Sequence, residues 1–111
     1  MRIFAAVALA AALSAPAVAW GQTMADPAAG RKLALEVCAH CHFVAETQQV
    51  IPRADAPPFD TVAADPSVTE LGLRVFLRTP HRNMPDLQLS QKETDDIISF
   101  ILSLRGEGEK R

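Results

Sequence analysis

Apolar residues form one unbroken run near the start of the chain and then recur at helical spacing in three later stretches. The run covers residues 3–13, it follows a positively charged start at Arg2, and the Ala-Val-Ala sequence at 17–19 is typical of a cleavage site. A transmembrane anchor is the alternative, but the run is too short to span a bilayer. We therefore predict a cleaved signal peptide at 1–19, a mature domain at 20–111 and export to the periplasm.

The first two helical stretches each open with an Asp-Pro pair, which supplies an N-cap and then proline at the first helical position. The first begins at Asp26-Pro27 and runs into the first cysteine, with an apolar stripe made of Gly30, Leu33, Ala34, Val37 and Cys38. The second begins at Asp65-Pro66, and it ends at Thr79-Pro80 because the residue before proline avoids the helical region. Its predicted stripe comprises Val68, Leu71, Val75, Phe76 and Leu77.

The third stretch begins at a capping box, with Ser90 as the N-cap and Glu93 three residues later, and it is predicted to stop at Gly106. Its apolar sector is broad enough for two covered sides and comprises Ile97, Ile98, Phe100, Ile101, Leu102 and Leu104. Residues 43–65 and 81–89 lack a sustained period and are predicted to be loops. The whole pattern indicates an all-α fold with three main helices.

Chemistry enters at the end of the first helix, where the sequence reads Cys38-Ala39-His40-Cys41-His42 and uses both cysteines of the chain. Cys-x-x-Cys-His is the attachment motif of covalent c-type haem. Each thiol adds to one vinyl group of the haem, and the histidine that follows lies under the iron and binds it through Nε2. The motif therefore predicts one haem c, with Cys38 and Cys41 as thioether links and His42 as the proximal ligand.

Two other uses of the cysteine pair are less consistent with the sequence. A thiol–disulfide oxidoreductase using Cys38 and Cys41 needs a βαβ context, and the chain has almost no strand pattern. A zinc site needs further ligands, but there is no second cysteine pair, and His40 and His81 do not have zinc-finger spacing.

A second axial ligand has four candidates in the mature domain, namely Met24, Met84, His40 and His81. Met24 precedes the first helix, and His40 is held within the attachment motif and cannot reach the opposite face of the haem. Met84 lies between polar residues in a loop far from His42 in sequence, which favours a ligand over a core methionine. His81 is the alternative and would give bis-His ligation.

The choice of ligand determines the predicted function. His/Met ligation raises the reduction potential and fills both axial positions, which favours outer-sphere electron transfer. An open iron would instead allow small-ligand binding or peroxidase-like activity.

Composition and charge add weaker constraints. A mature domain of this size has a small core, and a covalent haem would supply the apolar centre around which helices pack. The formal net charge of −2 is not that of a nucleic-acid-binding protein, and no later stretch is apolar enough to span a membrane. The Pro57-Pro58-Phe59 segment is stiff and carries one large apolar ring, so it either covers the haem or forms an ordinary turn.

These features resemble the small bacterial class I cytochromes c, from about Gly30 to Leu104. The resemblance lies in the glycine before the motif, the motif itself, the proline loop and Met84-Pro85 ahead of the last helix. It implies the small cytochrome c fold, with His42 and Met84 as axial ligands of one covalent haem. It also implies a contact between Gly30 and Phe100 where the first and last helices cross.

The resemblance further implies that a loop proline carbonyl, from Pro57 or else Pro58, accepts a hydrogen bond from His42. Phe59 would then lie beside the haem. The expected function is single-electron transfer between redox partner proteins, as a free carrier or as the cytochrome subunit of a larger oxidoreductase. The lysine ring that many of these proteins use for docking is not evident. A smaller basic patch, if these residues are not simply solvated, would comprise Arg53, Arg74, Arg78, Arg82 and Lys92.

Overall fold

The computed structural model describes residues 24–108, and within them the regular structure is helical, with no β-strand. The helices are α1 (Pro27–Val37), α2 (Phe59–Ala64), α3 (Glu70–Arg78), α4 (Gln91–Ser103) and α5 (Arg105–Gly108), and a 3₁₀ turn (Cys38–His40) follows α1. The all-α prediction is therefore confirmed. None of the helices in this range has the length and apolar character needed to cross a membrane. The predicted signal peptide at 1–19 lies outside the described residues and stays a prediction.

Helices α1 and α4 cross at Gly30, where their backbones come into direct contact. A Cβ atom built on Gly30 would lie 1.9 Å from the carbonyl oxygen of Asp96 and 2.9 Å from the nitrogen of Ile97. Only glycine allows so close an approach, so the predicted crossing at Gly30 is confirmed. The atoms that such a Cβ would meet first are backbone atoms of Asp96 and Ile97, and the contact with the Phe100 ring that the resemblance implied stays a prediction.

Asp96 also ties the start of α1 to the first turns of α4. Its Oδ1 accepts a hydrogen bond of 2.7 Å from the backbone N–H of Asp26, and Lys92 Nζ lies 2.6 and 2.8 Å from its two oxygens. The Asp96 side chain is buried. Burial alone would raise its pKa, but the Asp26 and Lys92 contacts outweigh burial and lower the pKa below its usual value.

We expect this lowered pKa to make the crossing sensitive to acid. A carboxylate with a depressed pKa in the folded state stabilises the fold at neutral pH, and the contribution is lost as the pH falls through that pKa. Asp96→Asn should therefore lower the midpoint of thermal unfolding at about pH 7 and lower it less at about pH 3.5, which is below the usual Asp pKa and where part of the contribution is already lost. Thermal unfolding followed by circular dichroism at both pH values tests this expectation. Glu36→Gln, on the exposed part of α1, is the control and should change neither midpoint. If Asp96→Asn lowered the midpoint equally at both pH values, the prediction would be contradicted.

The segment between the motif and α3 differs from the prediction. Residues 59–64 form helix α2 and not a loop, and α2 begins directly after Pro58, whose φ of −58° suits a helix start. Six residues are too few for a helical period to be visible in the sequence. Helix α3 begins at Glu70 and not at Pro66, because the Asp65 carboxylate accepts from Ser67 N (2.8 Å) within a turn and Thr69 caps the helix by accepting from Gly72 N.

The predicted apolar stripe of α3 was also partly wrong. Leu73 is the residue of α3 that is buried, and Val68 and Leu77 pack partly against the core. Leu71 and Val75 are 69% and 54% exposed. Apolar residues occur on most sides of this short helix, so the sequence pattern does not determine which of them faces the core. In the orientation that α3 adopts, Arg74 forms a salt bridge of 2.6 Å with Asp95 of α4.

The start of α4 is as predicted and its end is not. Ser90 and Glu93 form the full capping box, and the residues of α4 buried in the core are Ile97, Ile98, Phe100 and Ile101. Helix α4 ends at Ser103, and Gly106 lies within the short α5 instead of stopping α4. Arg105 of α5 donates a 2.7 Å hydrogen bond to the carbonyl of Ala63 and another to the carbonyl of Val68. Arg105 therefore fixes the link between α2 and α3 against the C-terminal end of the fold.

Candidate functional site

The cysteine motif folds into a tight turn at the end of α1. The backbone N–H groups of Cys41 and His42 both donate to the carbonyl of Cys38, at 3.1 and 2.9 Å. This turn brings the two cysteines and the histidine of the motif to the same cavity. Cys38, Cys41 and His42 all line one cavity, whereas His40 is exposed to solvent.

The ring of His42 is oriented by the proline loop. Its Nδ1 lies 2.7 Å from the carbonyl oxygen of Pro57, which can only accept, so Nδ1 carries a proton. In the neutral ring Nε2 then keeps its lone pair, as metal binding requires. Of the two candidate prolines, Pro57 makes this contact. The Phe59 ring is buried. Its centroid lies 5.3 Å from the centroid of the His42 ring and 6.3 Å from that of the Phe100 ring.

One side chain that the sequence did not single out holds the segment after His42. Gln48 Oε1 accepts from the backbone N–H groups of Val44 and Ala45, at 2.6 and 3.3 Å. Gln48 Nε2 donates to the carbonyls of His42 and Val50, at 3.1 and 3.0 Å. One amide thereby closes a loop that has no regular structure of its own. The sequence has no local pattern that predicts this role for Gln48, because glutamine is also a common surface residue.

Met84 reaches the same cavity on a turn that follows α3. Residues 81–84 form this turn, in which the N–H of Met84 donates to the carbonyl of His81 at 3.3 Å. Asn83 has a positive φ of 61°, a conformation that asparagine adopts more readily than most residues. The side chains of His81 and Met84 both line the cavity, and His81 Nε2 lies 3.0 Å from Met84 Sδ.

The cavity suits a large planar apolar group held by soft and nitrogen donors. Its volume is about 480 Å³, within the usual range for ligand and cofactor pockets. Its lining is mainly apolar and includes Phe59, Val62, Val68, Leu73, Leu77 and Ile101. The potential donors around it are two thiols, two imidazoles and one thioether. Thiols fit vinyl addition, and imidazole and thioether are axial ligands of haem iron, so the residues present fit a haem c.

The properties of Cys38 are unlike those of a catalytic thiol. Burial raises the pKa of the Cys38 thiol to about 11, so it is protonated at neutral pH before any haem is attached. Reactive cysteines of thiol–disulfide oxidoreductases have lowered pKa values, because the thiolate is the nucleophile. The burial and raised pKa of the Cys38 thiol therefore give no support to the oxidoreductase alternative.

Comparisons with known proteins agree with this site. The family model described as Cytochrome c matches residues 27–105. Cytochrome c-552 of Bradyrhizobium diazoefficiens is 44% identical over 81 residues, which cover 73% of this chain and 77% of that protein. None of the solved structures gives a significant match. The family match spans helices α1 to α4, the motif turn and the Met84 turn, so the chain belongs to the cytochrome c family, whose members transfer electrons, and its cofactor is a covalently attached haem c.

Proposed function

We propose that this protein is an exported carrier of single electrons, in which Cys38 and Cys41 hold the haem and His42 and Met84 are the axial ligands. The observation that carries the proposal is the convergence of these four side chains on one apolar cavity, together with the 2.7 Å contact between His42 Nδ1 and Pro57 O. Phe59 is proposed as the aromatic wall beside His42. This assignment gives every donor of the attachment motif a distinct role.

When bound, haem supplies an iron that changes by one electron between its ferric and ferrous states. The chain's own residues set the conditions for that change. The carbonyl of Pro57 keeps His42 in the tautomer that presents Nε2, and the Met84 thioether favours the reduced iron and so raises the potential. The apolar lining limits water at the site. With both axial positions filled, small molecules have no easy access, so the proposal is electron carriage and not catalysis.

Redox partner proteins are the proposed donor and acceptor, and they would approach at a weakly charged surface. Of the five cationic residues in the predicted basic patch, three pair with acids: Arg53 with Asp55, Arg74 with Glu70 and Asp95, and Lys92 with Asp96. Arg78 and Arg82 are exposed and have no acidic partner among the described residues, and Arg82 lies at the cavity. Docking would therefore depend less on charge than in proteins with a lysine ring. Export through the signal peptide at 1–19 and a periplasmic location complete the proposal.

We expect Met84→Ala to remove the weak far-red absorption band of methionine-bound ferric haem and to lower the reduction potential. The potential should fall by a sizeable part of the ~0.8 V range that axial ligands span, because the thioether favours the ferrous state. Visible spectra and a redox titration of the purified protein measure both effects.

Met24→Ala is the matched control for this experiment, because Met24 is 87% exposed and lies outside the cavity. The control should keep both the band and the potential. A wild-type protein without the far-red band, or a band that survives Met84→Ala, would refute Met84 ligation. Ready binding of carbon monoxide by the reduced wild-type protein would instead indicate the open-site alternative.

A further inference from the structure

Two histidines line the cavity, and both rings are held in the same way. His42 Nδ1 lies 2.7 Å from Pro57 O, and His81 Nδ1 lies 2.6 Å from Thr79 O. A carbonyl oxygen only accepts, so in each neutral ring the proton is on Nδ1 and Nε2 keeps a lone pair. A carbonyl on the second nitrogen is the usual means by which proteins orient a metal-binding histidine. His81 therefore has the orienting contact of an iron ligand, although Met84 is the ligand that we propose.

The two donor atoms on this turn are direct neighbours. His81 and Met84 form an antiparallel bridge pair across the turn, which sets their side chains side by side, and Nε2 lies 3.0 Å from Sδ. The Phe76 ring packs on the His81 ring with centroids 3.5 Å apart, so the imidazole is supported from α3 as well. A small displacement of one short turn would exchange the sulfur and the nitrogen.

We propose that His81 is a reserve axial ligand, which takes the position of Met84 when the thioether is lost or displaced. This inference rests on the proposed function, because it assumes that Met84 normally holds that position. The exchange breaks one dative bond from sulfur and forms one from Nε2. It transfers no electron, and a neutral His81 ring with its proton on Nδ1 would bind through Nε2 without releasing a proton. The resulting bis-His form stays closed to small ligands and has a lower reduction potential.

The test compares Met84→Leu with the double variant Met84→Leu/His81→Ala, both reduced and at one pH. Leucine has nearly the volume of methionine but cannot bind iron. The single variant should give a low-spin, six-coordinate spectrum, and the double variant should be open to carbon monoxide. The apparent affinity for carbon monoxide should be at least about tenfold weaker in the single variant, because only the open fraction of molecules can bind.

The control adds His40→Ala to Met84→Leu, since His40 is exposed and outside the cavity, and this control should bind carbon monoxide as weakly as Met84→Leu alone. Equal affinity in the single and double variants, or a double variant that stays closed, would overturn the proposal. If leucine disturbs folding, the same pair built on Met84→Ala gives the same comparison. The far-red band of the wild-type protein tests Met84 ligation separately, so a failure of the proposed function is distinguishable from a failure at His81.

Discussion

Replacing Cys38 and Cys41 together by serine is expected to release the haem from the chain and to remove much of the helical structure. The cavity of about 480 Å³ is lined by apolar residues of α2, α3 and α4, and these residues lose a large apolar partner once the haem has gone. At ~24 cal/mol per Å³, a sealed and dry space of this volume would cost on the order of 10 kcal/mol, which is an upper bound for a cavity that water can enter. That is comparable with the whole net stability of a small domain, ~5–15 kcal/mol. The chain would therefore collapse or unfold.

Two measurements check this expectation. Haem staining after denaturing electrophoresis reports the covalent link, and far-ultraviolet circular dichroism reports the helices. His40→Ala is the matched control, because His40 lies within the same motif but is exposed and does not line the cavity. It should keep the stain and the helical signal. A double-serine variant that still carries haem through denaturing electrophoresis would exclude these cysteines as the attachment points.

Elements with local signals could be predicted from the sequence, and elements set by tertiary contacts could not. Helix α1 has its Asp26 cap and Pro27 start, and α4 has its capping box at Ser90, so both are specified by neighbouring residues. Helix α3 has a cap as well, at Thr69, but its rotation depends on contacts with α4, which the sequence pattern does not contain. The exposed Leu71 and Val75 are the result.

The candidate site shows the same division. The attachment motif and Met84-Pro85 are compact patterns whose chemistry follows from residue type and spacing. The contacts that support them join distant residues, as in the hydrogen bonds of Arg105 with Ala63 and of His42 with Pro57. Gln48 bonds only to backbone groups of its partners, so the side chains of those partners give no indication of the contact. The sequence could predict which residues carry the chemistry, and the resemblance added the proline acceptor for His42, but the contacts of Gln48 and Arg105 could not be predicted.

We expect Gly30→Ala to destabilise the protein more than Gly72→Ala or Gly106→Ala. The new Cβ would overlap the Asp96 carbonyl carbon and oxygen, at 2.4 and 1.9 Å, and these are backbone atoms of a capped helix that cannot rotate away. Helices α1 and α4 would have to separate, which would disturb the buried core around Ala34 and Ile97. Overpacking of this kind costs about 3 kcal/mol or more when the backbone itself must move.

Thermal unfolding provides the measurement, and Gly106→Ala provides the comparison. For a domain of this size each kcal/mol shifts the midpoint by about 4–8 °C, so Gly30→Ala should lower it by at least about 12 °C. A Cβ on Gly106 in α5 meets nothing within 4 Å. Alanine there should therefore change the free energy of unfolding by less than about 1 kcal/mol. Because Gly30 does not line the cavity, the far-red band should persist in the folded Gly30→Ala protein. Equal midpoints for the two variants would mean that α1 and α4 do not cross at Gly30.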